Sequence, residues 1–201
     1  MTVRIEGVPV LYQYPVLPTG CEATALTMLL NWAGVDVTKE AVADGLVKEP
    51  TPFERDGKLV GGNPHRAFIG DPYDKESYGT FHEVIAAALE GYLPRKAWDV
   101  SGLSFEELLA HVEAGRPVVV WATIELKEPR PTDLWEDIDD SGTMIQWRSP
   151  EHCMTLVGYG EEVVVINDPH TGKQEHYDRD LFRLRWEQMG QQAVTVKSDQ
   201  A

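Results

Sequence analysis

The pattern of apolar and polar positions changes near residue 117, from helix-like segments to short runs of β-type residues. The stretch Glu-Ala-Thr-Ala-Leu-Thr-Met-Leu-Leu-Asn-Trp, from Glu22 to Trp32, is rich in Ala and Leu and stops before Gly34, which predicts a mostly buried helix. Cys21 then stands at the start of that helix, directly after Pro18-Thr19-Gly20. Three further helices are predicted over 38–47, 81–92 and 104–114, the last with a Ser104/Glu107 capping box and a stop at Gly115. Residues 49–80 are rich in Gly, Pro and Asp and read as one long loop. After Pro117 come three runs of strand type, 118–124, 154–159 and 163–167. Helices first and strands afterwards predict an α+β domain, a helical half packed against an antiparallel sheet, with the cleft between the halves as the natural place for a site.

The 201 residues fit one domain spanning 1–201, and 42% hydrophobic with 25% charged residues is a composition that folds by burial. Eighteen Lys and Arg against 33 Asp and Glu leave a net charge of −15. That field repels phosphate backbones and anionic lipid, so neither nucleic acid nor a membrane is an expected partner, and a peptide or protein substrate would be favoured if cationic. No window approaches the roughly 20 apolar residues of a membrane span, and the first ten residues lack the apolar centre of a signal peptide. The chain as given is expected to be cytoplasmic. Two cysteines, Cys21 and Cys153, are too few for a disulfide framework and form no Cys-x-x-Cys pair, although a single disulfide between them is conceivable outside the cytoplasm.

A cysteine at a helix N-terminus meets unpaired N–H groups and the positive end of the macrodipole, so the Cys21 thiol is expected to titrate below the free value of about 8.5. A thiolate nucleophile needs an imidazole partner, and six histidines are available. His82, His111 and His176 read as surface or local structure. His152 precedes the strand 153–159, whose following run 163–167 ends at Asp168. A hairpin centred on Gly160 would set His152 opposite Asp168, Met154 opposite Ile166 and Leu156 opposite Val164. The carboxylate would then fix the tautomer of the imidazole. Alternation along the strand sends Cys153 to the other face, which makes it structural. For a developing oxyanion, the Cys21 backbone N–H supplies one donor, and the side-chain amide of Gln13, in the loop before the helix, is the candidate for the second.

The series Gln13, Gly20-Cys21-Glu22, Glu151-His152-Cys153, Gly158-Tyr159, Asn167-Asp168-Pro169 and Gly172 is similar to the papain-like fold. More closely, it resembles stand-alone relatives of the peptidase domains that cleave bacteriocin leaders at a double-glycine motif. The likeness runs from about Val8 to Val196 and includes Gly115-Arg116-Pro117-Val118-Val119-Val120-Trp121. It implies a papain-like cysteine peptidase, or a thiol-dependent amidase or acyltransferase on that scaffold, with Cys21 as nucleophile, His152 as general base and acid, Asp168 as its orienting residue and Gln13 as oxyanion donor. The stretch from Gly62 to Pro72 also resembles a loop that would border the cleft. No cofactor is implied. The chain carries no Walker-type phosphate loop and no Gly-x-Ser-x-Gly elbow.

Other constellations are weaker. Asp137 to Gly142 begins like a calcium loop, but the twelfth place is Arg148 rather than Glu, so a solvated acidic loop is expected. His152, Cys153, Asp168 and His170 match no familiar zinc spacing, and no metal is expected. The six tryptophans read as core and cleft-wall packing. From a different functional class, a module that keeps the peptidase fold and binds a peptide or cell-wall fragment without cutting it remains the alternative.

Overall fold

The computed structural model describes residues 3–197; Met1, Thr2 and residues 198–201 of the expected single domain lie outside the described residues. The chain opens with β1 (Val3–Arg4), α1 (Cys21–Trp32) and α2 (Lys39–Gly45). Four short strands follow, β2 (Lys48–Glu49), β3 (Phe53–Arg55), β4 (Lys58–Gly61) and β5 (Phe68–Ile69), then α3 (His82–Tyr92), β6 (Ala97–Asp99) and α4 (Phe105–Glu113). The remainder is β7 (Val118–Thr123), β8 (Arg130–Asp137), β9 (Met144–Ser149), β10 (Glu151–Tyr159), β11 (Val163–Asp168), β12 (Lys173–Asp178), α5 (Arg179–Gln188) and β13 (Ala193–Val196). No helix among the described residues is long and apolar enough to cross a membrane.

The four predicted helices form as α1 to α4, and two of them are capped by side chains at their starts. Thr38 caps α2 by accepting a hydrogen bond from the Ala41 N–H at 3.2 Å. The capping box of α4 is complete: Ser104 Oγ accepts from the Glu107 N–H at 3.3 Å, and the Glu107 carboxylate accepts from the Ser104 N–H at 2.9 Å. Gly115, at φ +76, turns the chain out of that helix.

The central antiparallel sheet runs β12-β11-β10-β7-β13-β6, with β1 added along β10. The expected mixed fold of helices packed on an antiparallel sheet is present, and helices cover both faces of the sheet. On one face α1, α2 and α3 pack with Val119, Trp121, Cys153 and Val194. On the other, Phe105, Leu108, Phe182 and Trp186 from α4 and α5 meet Val118, Val120, Met154 and Ile166. All six residues of β7 are buried in consequence, which explains an unbroken apolar run where a one-sided strand would alternate. Emptying such a core is costly: truncating fully buried Leu26 to Ala removes on the order of 2–5 kcal/mol.

The stretch 49–80, expected as one long loop, carries three short strands and joins a second sheet, β3-β4-β8-β9, while β2 pairs with β5. What holds it is partly ionic. Arg66 reaches Asp137 at 2.7 Å, Glu49 at 3.2 Å and Asp139 at 3.2 Å. Two carboxylates of the would-be calcium loop, Asp137 and Asp139, are therefore paired with a guanidinium, while Asp140 accepts from the Thr143 hydroxyl, and the Arg66 hydrogen bonds hold the Asp137 carboxyl far below its ordinary range. A small second core of Ile69, Trp135, Ile145 and Trp147 fixes this sheet, with the Trp135 indole donating to the Gly62 carbonyl at 2.8 Å. Trp121, Trp135, Trp147 and Trp186 are buried packing residues as expected, whereas Trp98 is exposed.

Candidate active site

The β10–β11 hairpin sets the site, in a register two residues away from the expected one. Thr155 pairs with Asn167 and Leu156 with Ile166; past an irregularity at Val157, Gly158 pairs with Val165 and Tyr159 with Val164. The tight end is closed by the Gly160 N–H donating to the Val163 carbonyl at 2.7 Å. The turn therefore lies beyond Gly160, and β10 absorbs one extra residue as a bulge. A shift of two preserves which face each side chain occupies. His152 and Asp168 remain on one face as diagonal rather than opposed neighbours, and their side chains close the gap.

His152 Nε2 donates to Asp168 Oδ1 at 2.7 Å, with both residues almost completely buried. Asp168 accepts two more hydrogen bonds, from the His170 N–H at 2.8 Å and from the Tyr177 hydroxyl at 2.6 Å. Burial pushes its carboxyl up, but the bond and charge of His152 with the Tyr177 and His170 donors outweigh it, and the pKa falls to about 2. An ionised carboxylate on Nε2 leaves Nδ1 as the nitrogen for a further partner. Tyr14 approaches from the loop before α1: its hydroxyl meets His170 Nδ1 at 3.1 Å, and the His170 ring lies edge-on to His152 at 5.8 Å between centroids.

Cys21 is the first residue of α1, so its backbone N–H has no acceptor within the helix. Its side chain is 6% exposed, and the thiol donates to Glu22 Oε2 at 3.3 Å. The expected lowering of its pKa is overturned. Burial, then the Glu22 and Glu151 carboxyls, push it well above the ordinary value, against a smaller opposing pull from the Cys153 backbone N–H. That N–H belongs to the peptide bond joining His152 to Cys153, so the sulfur lies against the chain beside the imidazole residue. Helix-terminal N–H groups are outweighed here first by burial and then by two acidic groups, of which Glu151 is brought to the thiol by the fold. The Cys153 thiol lies in the α1-side core with Cys21, across the sheet from Met154, and both thiols are free.

Glu22 and Glu151 are the residues whose importance the sequence pattern did not reveal. Glu22 Oε1 accepts from the Thr80 N–H at 2.6 Å, whereas Glu151 Oε1 is buried with no partner among the described residues. Burial raises the pKa of both, and Glu22 raises that of Glu151 further. Gly79 makes room for the pair: a Cβ there would stand 2.3 Å from Glu22 Oε1. The donor atoms of Cys21, Glu22 and Glu151 lie within 4.8 Å of one another, a spacing a cation could bridge. The available signal was Glu22 itself, a charge inside an otherwise apolar helix.

Gln13 is 3% exposed, and its amide Nε2 donates to the carbonyls of Leu17 at 3.3 Å and Pro18 at 3.0 Å. It ties down the turn that delivers Cys21 and leaves its own Oε1 buried without a partner among the described residues. The zinc grouping of His152, Cys153, Asp168 and His170 does not converge, because Cys153 lies on the opposite face and His152 Nε2 is taken by Asp168.

The model of the Peptidase_C39 like family matches residues 5–194. The Bacillus subtilis (strain 168) protein YvpB, itself uncharacterised, is 33% identical over 183 residues, covering 91% of this chain and 71% of YvpB. The crystal structure of a Bacillus anthracis protein assigned as a C39-like peptidase superimposes with a TM-score of 0.90, at 34% identity and over the whole of both chains. With a match of that extent, sharing a mixed helical and antiparallel-sheet fold, the chain belongs to the Peptidase_C39-like family.

Proposed function

We propose that the protein is a papain-like cysteine peptidase in which Cys21 attacks an amide carbonyl and His152 carries the proton. The observation that carries this reading is the buried His152–Asp168 pair, bonded through Nε2 so that Nδ1 is left for the thiol. In the first step the Cys21 proton passes to Nδ1 and the sulfur adds to the carbonyl carbon. The oxyanion is received by the Cys21 backbone N–H and by Gln13 Nε2, which must exchange its longer bond to the Leu17 carbonyl for the new one. Collapse breaks the C–N bond, the imidazolium protonates the leaving amine, and an acyl-thioester remains. Water, deprotonated by His152, then releases the acid and restores the thiol. An amidase or acyltransferase would differ only in the leaving amine or in the acceptor that replaces water. The net charge of −15 favours cationic peptides.

A non-catalytic peptide-binding module is the second reading, and two observations favour it: the thiol is held protonated, and the Gln13 donors are spent on its own loop. Incubation of the protein with a peptide library, followed by mass spectrometry, separates the two. New termini that disappear after thiol blocking and in Cys21→Ala support the peptidase. Retention of peptides without thiol-sensitive cleavage supports the module.

A further inference from the structure

His65, His82 and Glu83 take no part in the proposed thiol chemistry, yet they converge on one point. His65 lies in the loop after β4, and His82 and Glu83 open α3. His65 Nδ1 stands 2.8 Å from Glu83 Oε1, and His82 Nε2 stands 3.3 Å from that same oxygen. The donor atoms of all three residues lie within 4.8 Å of one another. On its far side, His82 Nδ1 is 2.6 Å from Asp99 Oδ2.

A neutral imidazole has one N–H. If His82 donates it to Asp99, the Nε2 lone pair faces the Glu83 oxygen, acceptor against acceptor, and only a cation between them makes the contact favourable. A zinc-class ion binds imidazole nitrogen and carboxylate oxygen at about 2.0–2.1 Å, which sets tetrahedral donors roughly 3.3 Å apart. The His82–Glu83 separation of 3.3 Å meets that distance and the His65–Glu83 separation of 2.8 Å falls short of it, a gap that side-chain rotation can open. Two imidazoles and a carboxylate leave a fourth position, and a carboxylate on the distal nitrogen is the arrangement that orients a metal-bound histidine. Beside the two imidazoles opens a cavity of about 270 Å³, also lined by Phe81, Gln146 and Arg148, which gives an exchangeable ligand room.

We infer that His65, His82 and Glu83 form a binding site for one divalent transition-metal ion of the zinc class, with Asp99 as the positioning residue that fixes the His82 tautomer. The site stands independently of the peptidase reading.

Titration of the full chain with Co²⁺, followed by its d–d absorption, tests it. The expected result is saturable uptake of one ion per chain without a thiolate-to-metal charge-transfer band. His65→Ala, an exposed loop position, and His82→Ala each lose binding, and Asp99→Asn weakens it by about 10- to 100-fold with an unchanged circular dichroism spectrum. Three results overturn the inference: no saturable uptake, so that a proton alone fills the contact; equal affinity in His65→Ala and the parent; or a thiolate band, which moves the ion to Cys21.

Discussion

Two sets of buried carboxyl groups lie near the proposed thiol chemistry, and their pKa values are shifted in opposite directions. Asp168 accepts three hydrogen bonds and stays charged, with its pKa at about 2 despite burial. Glu22 and Glu151 face each other and the Cys21 thiol with few donors between them, and both are pushed up. Depth is similar in the two places. The supply of N–H and O–H groups decides the outcome. On one side hydrogen-bond donors hold a charge beside His152; on the other, burial with few donors raises the pKa of two carboxyl groups beside the Cys21 thiol.

Three substitutions and one pH series break or sharpen this contrast. Asp168→Asn removes the orienting charge and leaves an amide that favours the wrong imidazole tautomer; peptide turnover is expected to fall by about 10³-fold or more, as in other triads that lose their carboxylate. Glu151→Gln abolishes the like-charge contact on the other side. The Cys21 pKa should drop, and its alkylation by iodoacetamide at pH 7 should speed up, read by peptide mass spectrometry. Tyr177→Phe takes away one of the three Asp168 donors, and a loss of about 1–2 kcal/mol in urea unfolding is expected.

The smallest effect is on the pH dependence of stability. The Asp168 pKa is depressed on folding, so its contribution is present above its unfolded value of about 3.9 and is lost as pH falls toward about 2. The Glu22 and Glu151 values are raised on folding, so the native state binds more protons there and stability declines as pH rises beyond about 4.3. Urea midpoints measured across pH should therefore show an alkaline decline that Glu151→Gln flattens and an acid decline that it leaves in place.

Much of this architecture was legible in the residues. The capping box at Ser104 and the glycine stop at Gly115 marked a helix because they act through local hydrogen bonds. The β10–β11 hairpin was legible in its face and not in its register, since a bulge at Val157 has no sequence signal comparable to an apolar alternation. The β8–β9 hairpin was missed: only Trp135, Ile145 and Trp147 of its apolar residues turn inward, while Leu134 and Met144 stay exposed. Helix α5 escaped for a similar reason, with Phe182 and Trp186 its only buried residues among many charges. At the site, His152 and Asp168 could be paired by strand arithmetic. The effect of Glu151 on Cys21 could not, because it joins residues 130 positions apart across a helix–sheet contact.

The central claim is that His152 acts on the Cys21 thiol. It is tested most directly by the rate of Cys21 alkylation at neutral pH in the parent and in His152→Ala, with Cys21 resolved from Cys153 by peptide mass spectrometry. Loss of the imidazole should slow Cys21 by about tenfold or more while the protein remains folded. Equal rates in the two proteins, or labelling of Cys153 alone in the parent, would contradict it.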